Sequence, residues 1–95
     1  MIRREGRRMT LSGPLTLTNV GRMLEEGRQH LEEGVRIVDL GEVTELDSAA
    51  LALLLTWLRE ARAKNRELDF ANLPDSLQTI ARLYGVDSLL PLSTH

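Results

Sequence analysis

The stretch VRIVDLGEVTELDSAALALLL, Val35–Leu55, decides how the rest of the chain is read. Val35–Leu40 is a short β-branched run with little alternation, the pattern of a central, largely buried strand. Gly41–Leu46 reads as a loop, and the spacing then predicts a helix over Ser48–Lys64. Along that helix Leu51, Leu54, Leu55 and Leu58 fall at i, i+3, i+4 and i+7, a stripe sufficient to pack on a sheet. Ala50, Leu53, Trp57 and Ala61 form a second apolar row. With an advance of about 100° per residue, Leu53 lies about 160° around the axis from Leu51. Leu53 and Trp57 cannot both share the centre of the sheet-facing stripe. They pack under a neighbouring helix or they face a partner.

The helix start carries a second choice. Asp47 or Ser48 can act as N-cap, a role that contributes about 1 kcal/mol. If Asp47 caps, the Ser48 hydroxyl is left exposed in the first turn, where the helix dipole tolerates added negative charge such as a phosphate. Asp39, closing the strand beside Gly41, is either a plain strand-end aspartate or a group orienting the Asp47-Ser48 loop.

Upstream, RRMTLSGPLTL (Arg7–Leu17) reads as two short strands about a Gly13-Pro14 turn, with Met9, Leu11, Leu15 and Leu17 inward. Thr18 or Asn19 can cap a helix whose apolar positions are Val20, Met23, Leu24 and Leu31, ended by Gly34. Downstream, Asn65-Arg66 breaks the long helix, and ELDFANL (Glu67–Leu73) is a strand with Leu68 and Phe70 on one side. Pro74-Asp75-Ser76 opens a last patterned helix with Leu77, Ile80, Ala81 and Tyr84, stopped by Gly85. Val86–Leu92 is a short closing segment with room for a helical turn. Strand–helix–strand units favour right-handed crossovers and parallel pairing, and the initial hairpin adds an antiparallel edge. The expected architecture is a single α/β domain, a mixed sheet of about four strands covered by helices.

Composition narrows function. A chain of 95 residues with 42% hydrophobic and 27% charged residues has the make-up of one globular domain. The absence of cysteine removes disulfides, thiolate metal sites and a cysteine nucleophile. His30 and His95 are the only histidines and stand far apart in sequence, so a histidine metal site or catalytic triad is not expected. No glycine-rich phosphate loop is present, and a net charge of −2 gives no support for nucleic-acid binding. No metal, cofactor or catalytic residue is assigned. Arg3, Arg4, Arg7 and Arg8 make the first eight residues basic; residues 1–8 read as a flexible arm, solvated or touching an anionic surface, with the domain over 9–95. No apolar run follows the arginines, so they do not read as a signal peptide, and no run of about 18 apolar residues predicts a membrane span.

The same residues carry a family resemblance. VRIVDLGEVTELDSAALALLL resembles the signature of STAS domains, in which a strand ending in Asp leads through a loop to an Asp-Ser/Thr step at a helix N-terminus. The likeness continues through LDFANLPDSLQTIARLYGVDSLLPL and is strongest to the small cytoplasmic STAS subunits of Mla-type phospholipid ABC transporters. It spans about Met9 to Leu92. Anti-sigma-factor antagonists of the family usually carry Asp-Ser-Ser/Thr-Gly, with the second hydroxyl residue phosphorylated; here that position is Ala49, followed by Ala50. In transporter-type subunits the functional hydroxyl directly follows Asp, and here that residue is Ser48. The resemblance thus implies a non-enzymatic binding protein that docks on the transporter's ATPase subunit at the cytoplasmic side of the inner membrane. It would support assembly and activity of a system that preserves outer-membrane lipid asymmetry. The implied partner surface comprises Thr44, Asp47, Ser48, Ala49, Ala50, Leu53 and Trp57, with Ser48 as a possible phosphorylation site. A phospho-regulated sigma antagonist is the alternative; a lipid or small-molecule sensor with a Leu- and Trp-lined cavity is a third reading.

Overall fold

The computed structural model describes residues 1–92; the expected domain's last residues, including His95, lie outside this range. Four strands, β1 (Ile2–Glu5), β2 (Arg8–Leu15), β3 (Ile37–Leu46) and β4 (Asp69–Ala71), form one sheet in the order β1-β2-β3-β4. β1 pairs antiparallel with β2, and β2–β3 and β3–β4 are parallel. The helices are α1 (Val20–Glu32), α2 (Ser48–Ala63) and α3 (Asp75–Leu83), followed by a 3-10 turn at Asp87–Leu89. Both parallel connections step the same way along the sheet, and right-handed crossovers then put α1 and α2 on one face. Burial agrees: Met9, Leu11, Leu15, Val38, Leu40 and Phe70 join one core with residues of all three helices.

The first hairpin differs from the sequence expectation. It turns at Gly6-Arg7, with Gly6 at φ +61°, and the segment expected as a basic arm holds β1. Three of its arginines are tied back to the domain: Arg3 to Glu42 at 2.8 Å, Arg4 to Glu33 at 2.7 Å and Arg8 to Asp39 at 2.7 Å. Gly13-Pro14 lies inside β2, where the register against β3 shifts. β1 reaches only to Leu11 there, so the missing Pro14 N–H falls where β2 has lost that neighbour. Leu17, expected inward, is 77% exposed.

β3 also runs further than expected, through the residues read as a loop, Gly41–Leu46. A bulge absorbs the irregularity, since Thr10 pairs with Asp39 but Ser12 pairs with Glu42. The Asp39 carboxylate accepts the Gly41 N–H at 2.8 Å, the Asn72 amide at 3.0 Å and the Arg8 guanidinium at 2.7 Å. Partial burial pushes the Asp39 pKa up, but the hydrogen bonds from Asn72 and Gly41 and the Arg8 charge outweigh it, and the net shift is downward. Asp39 thus knits β2, β3 and the end of β4, and among the described residues it makes no hydrogen bond to the Asp47-Ser48 step.

The second apolar row of α2 resolves inward. Ala50, Leu53 and Trp57 are buried, Trp57 completely, and all three belong to the core. Trp57 packs against Gly27 of α1, where a Cβ would stand 2.2 Å from the ring, and its indole N–H donates to the Leu24 carbonyl at 3.2 Å. Of the two readings for this row, cover by a neighbouring helix holds for Ala50 and Trp57, which do not face a partner: α1 covers what the sheet-facing stripe leaves out. Arg28–Glu60 at 2.7 Å and Glu32 with Lys64 and Arg66 continue the α1–α2 seam towards the helix C-termini.

Candidate functional site

The α2 N-terminus is organised by Asp47. Its backbone is extended, and its carboxylate accepts the Ala49 N–H at 2.8 Å, which makes Asp47 the N-cap. The other carboxylate oxygen accepts the Leu17 N–H at 3.1 Å and ties the β2–α1 connection to the start of α2. Ser48 is consequently the first helical residue and is exposed, as the capping argument requires when Asp47 takes the cap. The expected cap of α1 behaves differently. Asn19 occupies the N-cap position without a capping hydrogen bond, because its side-chain oxygen accepts the Thr16 N–H at 2.7 Å and its amide bonds the Pro14 carbonyl. Asn19 stiffens the same connection from the other side.

Between these two anchored segments lies an open groove of about 440 Å³. One wall is Leu17, Val20, Gly21 and Leu24; the other is the first turns of α2, with Ser48, Ala49, Ala52, Leu53 and Thr56. The groove exists because the facing residues are small. A Cβ on Gly21 would meet nothing within 4 Å, and Ala49 and Ala52 project little. The outcome is an apolar trough with a hydroxyl and a capped helix N-terminus at one end, and with exposed Leu17 at its rim.

The structure thus brings together Asp47, Ser48, Ala49 and Leu53 of the residues expected to meet a partner. It does not bring Thr44, which is exposed on β3 outside the groove, nor Ala50 and Trp57, which are core. Leu17, Val20, Gly21, Leu24, Ala52 and Thr56 were not anticipated there. The available signal was the pairing of small residues at Gly21 and at Ala49 and Ala52, beside the larger apolar Val20, Leu24 and Leu53 of the same helices. A cavity that Trp57 does line, between α1 and α2, measures about 20 Å³, room for about one water and not for a lipid or metabolite. Among the described residues no cluster of His, Cys, Asp or Glu could hold a metal ion, and no helix is long and apolar enough to cross a membrane.

Comparison with known proteins places this geometry. Residues 2–91 match the family model described as Mlab, STAS domain. The intermembrane phospholipid transport system binding protein MlaB of Escherichia coli K12 is 31% identical over 81 residues, covering 85% of this chain and 82% of that protein, and its Shigella flexneri counterpart matches equally. Among solved structures, the anti-sigma factor antagonist SpoIIAA in its unphosphorylated form superposes with a TM-score of 0.73 at 16% identity, over all of this chain and 88% of that one. A putative anti-sigma factor antagonist from Thermotoga maritima superposes with a TM-score of 0.76 at 13% identity, over 97% and 83% of the two chains. The antagonists share the fold at low identity, and the MlaB proteins share the sequence over most of the chain. With the family model spanning nearly the whole chain and the mixed sheet and capped α2 in place, the protein belongs to the STAS domain family.

Proposed function

We propose that this protein is a non-enzymatic subunit of a phospholipid-transporting ABC system, held at the cytoplasmic side of the membrane by docking on the ATPase subunit. In this reading it supports assembly and activity of the complex and does not itself handle lipid. The observation that carries it is the groove beside Ser48. An apolar trough rimmed by a hydroxyl has the composition of a protein-docking surface, apolar at the centre and polar at the edge. The relatives with the stronger sequence match are named as binding proteins of an intermembrane phospholipid transport system, which supplies the partner class. The fixed geometry of Asp47 would keep Ser48 presented without a conformational change on binding.

The test is co-purification with a tagged ATPase subunit of such a transporter. Wild-type protein is expected to co-purify, and Ala52→Glu, an exposed change in the groove wall, is expected to abolish capture while leaving the circular dichroism spectrum unchanged. Full-strength capture of a folded Ala52→Glu variant refutes the docking site, and no capture of wild type refutes the partner. The second reading, a phospho-regulated sigma-factor antagonist, draws on the shared fold and on the exposed Ser48 hydroxyl. It requires phosphate transfer to Ser48 by an anti-sigma kinase, read by mass spectrometry; Ala49 supplies no hydroxyl for this.

A further inference from the structure

A second groove flanks α2 on its other side. It is floored by Leu55, Leu58 and Leu89, edged by Arg59 and Arg62, and measures about 300 Å³. Leu89, on this groove, is 47% exposed. The groove's charge differs from that of the α1–α2 seam. There, Arg28 and Arg66 are ion-paired with glutamates, whereas Arg59 and Arg62 carry no ion pair among the described residues. Leu55 to Arg62 spans about two turns of α2, about 10 Å along its axis.

We propose that the groove formed by Leu55, Leu58 and Leu89 and edged by Arg59 and Arg62 docks an acidic amphipathic helix of a partner protein. A helix laid along α2 would insert apolar side chains at i, i+3 and i+7 into the floor and set carboxylates of its flanking face against the two arginines. The arginines stand one turn apart on α2, so they match carboxylates at the same spacing. The concave shape between α2 and the Asp87–Leu89 turn fits an inserted helix. This site is independent of the Ser48 groove, which lies between α1 and α2.

The test uses a synthetic helical peptide with leucines at i, i+3 and i+7 flanked by glutamates, titrated into the full chain and followed by amide chemical shifts. The expected result is binding that perturbs Leu55–Arg62 and Leu89, that fails for the same peptide with lysines, and that weakens about tenfold or more in Arg59→Glu/Arg62→Glu. Both positions are exposed, so the double variant is expected to melt like wild type. The proposal is overturned if the acidic peptide does not bind, if the lysine peptide binds equally, or if the perturbed residues are those of the Ser48 groove. It is equally overturned if phosphatidylglycerol vesicles capture the protein through the two arginines, or if sedimentation shows this face closing on a second copy of the chain.

Discussion

The two ends of the α1–α2 seam are built from the same helices and come out opposite. Towards the C-termini, Gly27 lets Trp57 lie flat against α1, and ion pairs from Arg28 and Glu32 close the edge. Towards the N-termini, Gly21 faces empty space across from Ala49 and Ala52, and the groove stays open. Each end has one glycine in α1. At the closed end the glycine admits a ring; at the open end nothing fills the room it leaves. The only tryptophan closes one end of the seam, and the end beside Ser48 stays open.

The largest effect should come from emptying the closed end. Trp57→Ala removes the largest fully buried side chain and is expected to cost about 3–5 kcal/mol in denaturant unfolding. Gly27→Ala should cost about 3 kcal/mol, because the new Cβ would sit 2.2 Å from the ring and one of the two must move. In the Trp57→Ala background the same glycine change should lose its cost and even return up to about 1 kcal/mol of helix propensity. If Gly27→Ala costs the same in both backgrounds, the close contact is not what holds this end shut.

A loss of similar kind placed on the other face of the sheet separates stability from binding. Asp39→Ala removes the acceptor of Arg8, Asn72 and Gly41, and about 2 kcal/mol of destabilisation is expected, with ATPase capture per folded molecule unchanged. The pH dependence follows from the same carboxylate. Its folded pKa is depressed, so its contribution is present above the unfolded value of about 4 and is lost as pH falls through the folded value. Glu60, depressed by its hydrogen bond from Arg28, adds an acid-labile contribution of the same sign at the closed end. Acid titration of wild type should therefore show stability falling below about pH 4, with a shallower fall in Asp39→Ala. An equally steep fall in that variant would remove Asp39 from the account.

How far this contrast was legible in the sequence depends on which physical signal each residue leaves. The α2 row Leu53–Trp57 was visible as surplus apolar surface, but one helix's periodicity does not say whether α1 or another protein covers it; only the Gly27 contact decides that. β1 was hidden by its charges. Arg3 and Arg4 look solvated until Glu42 and Glu33, about thirty or more positions away, are folded beside them. The Gly6-Arg7 turn left a glycine signal, while Gly13-Pro14 gave a stronger one and lies within a strand, because a proline beyond the reach of β1 breaks no ladder there. The groove is the least legible feature, since it consists of what Gly21, Ala49 and Ala52 leave out. The Asp47-Ser48 step was legible as a choice between two caps, and the tether to Leu17 that accompanies the choice was not.

The smaller effects test the open end. Asp47→Ala should cost about 1 kcal/mol through the lost cap and also release the Leu17 N–H, so its loss of ATPase capture should exceed that of Ser48→Ala. Ser48→Ala should change stability by less than about 0.5 kcal/mol, because the exposed hydroxyl does not cap. The sharpest small test is Gly21→Ala. The added methyl meets nothing within 4 Å, and at the second position of α1 an alanine for glycine gains up to about 0.5 kcal/mol, less than in a helix interior. The same methyl narrows the groove, so a variant that melts higher should capture the ATPase less well. Gly27→Ala, about one and two-thirds turns further along α1, should melt lower. Opposite signs from one substitution at two glycines of one helix would be the direct measure of which end is packed and which is kept open. If Gly21→Ala raises stability and leaves capture untouched, the partner does not enter the groove beside Ser48.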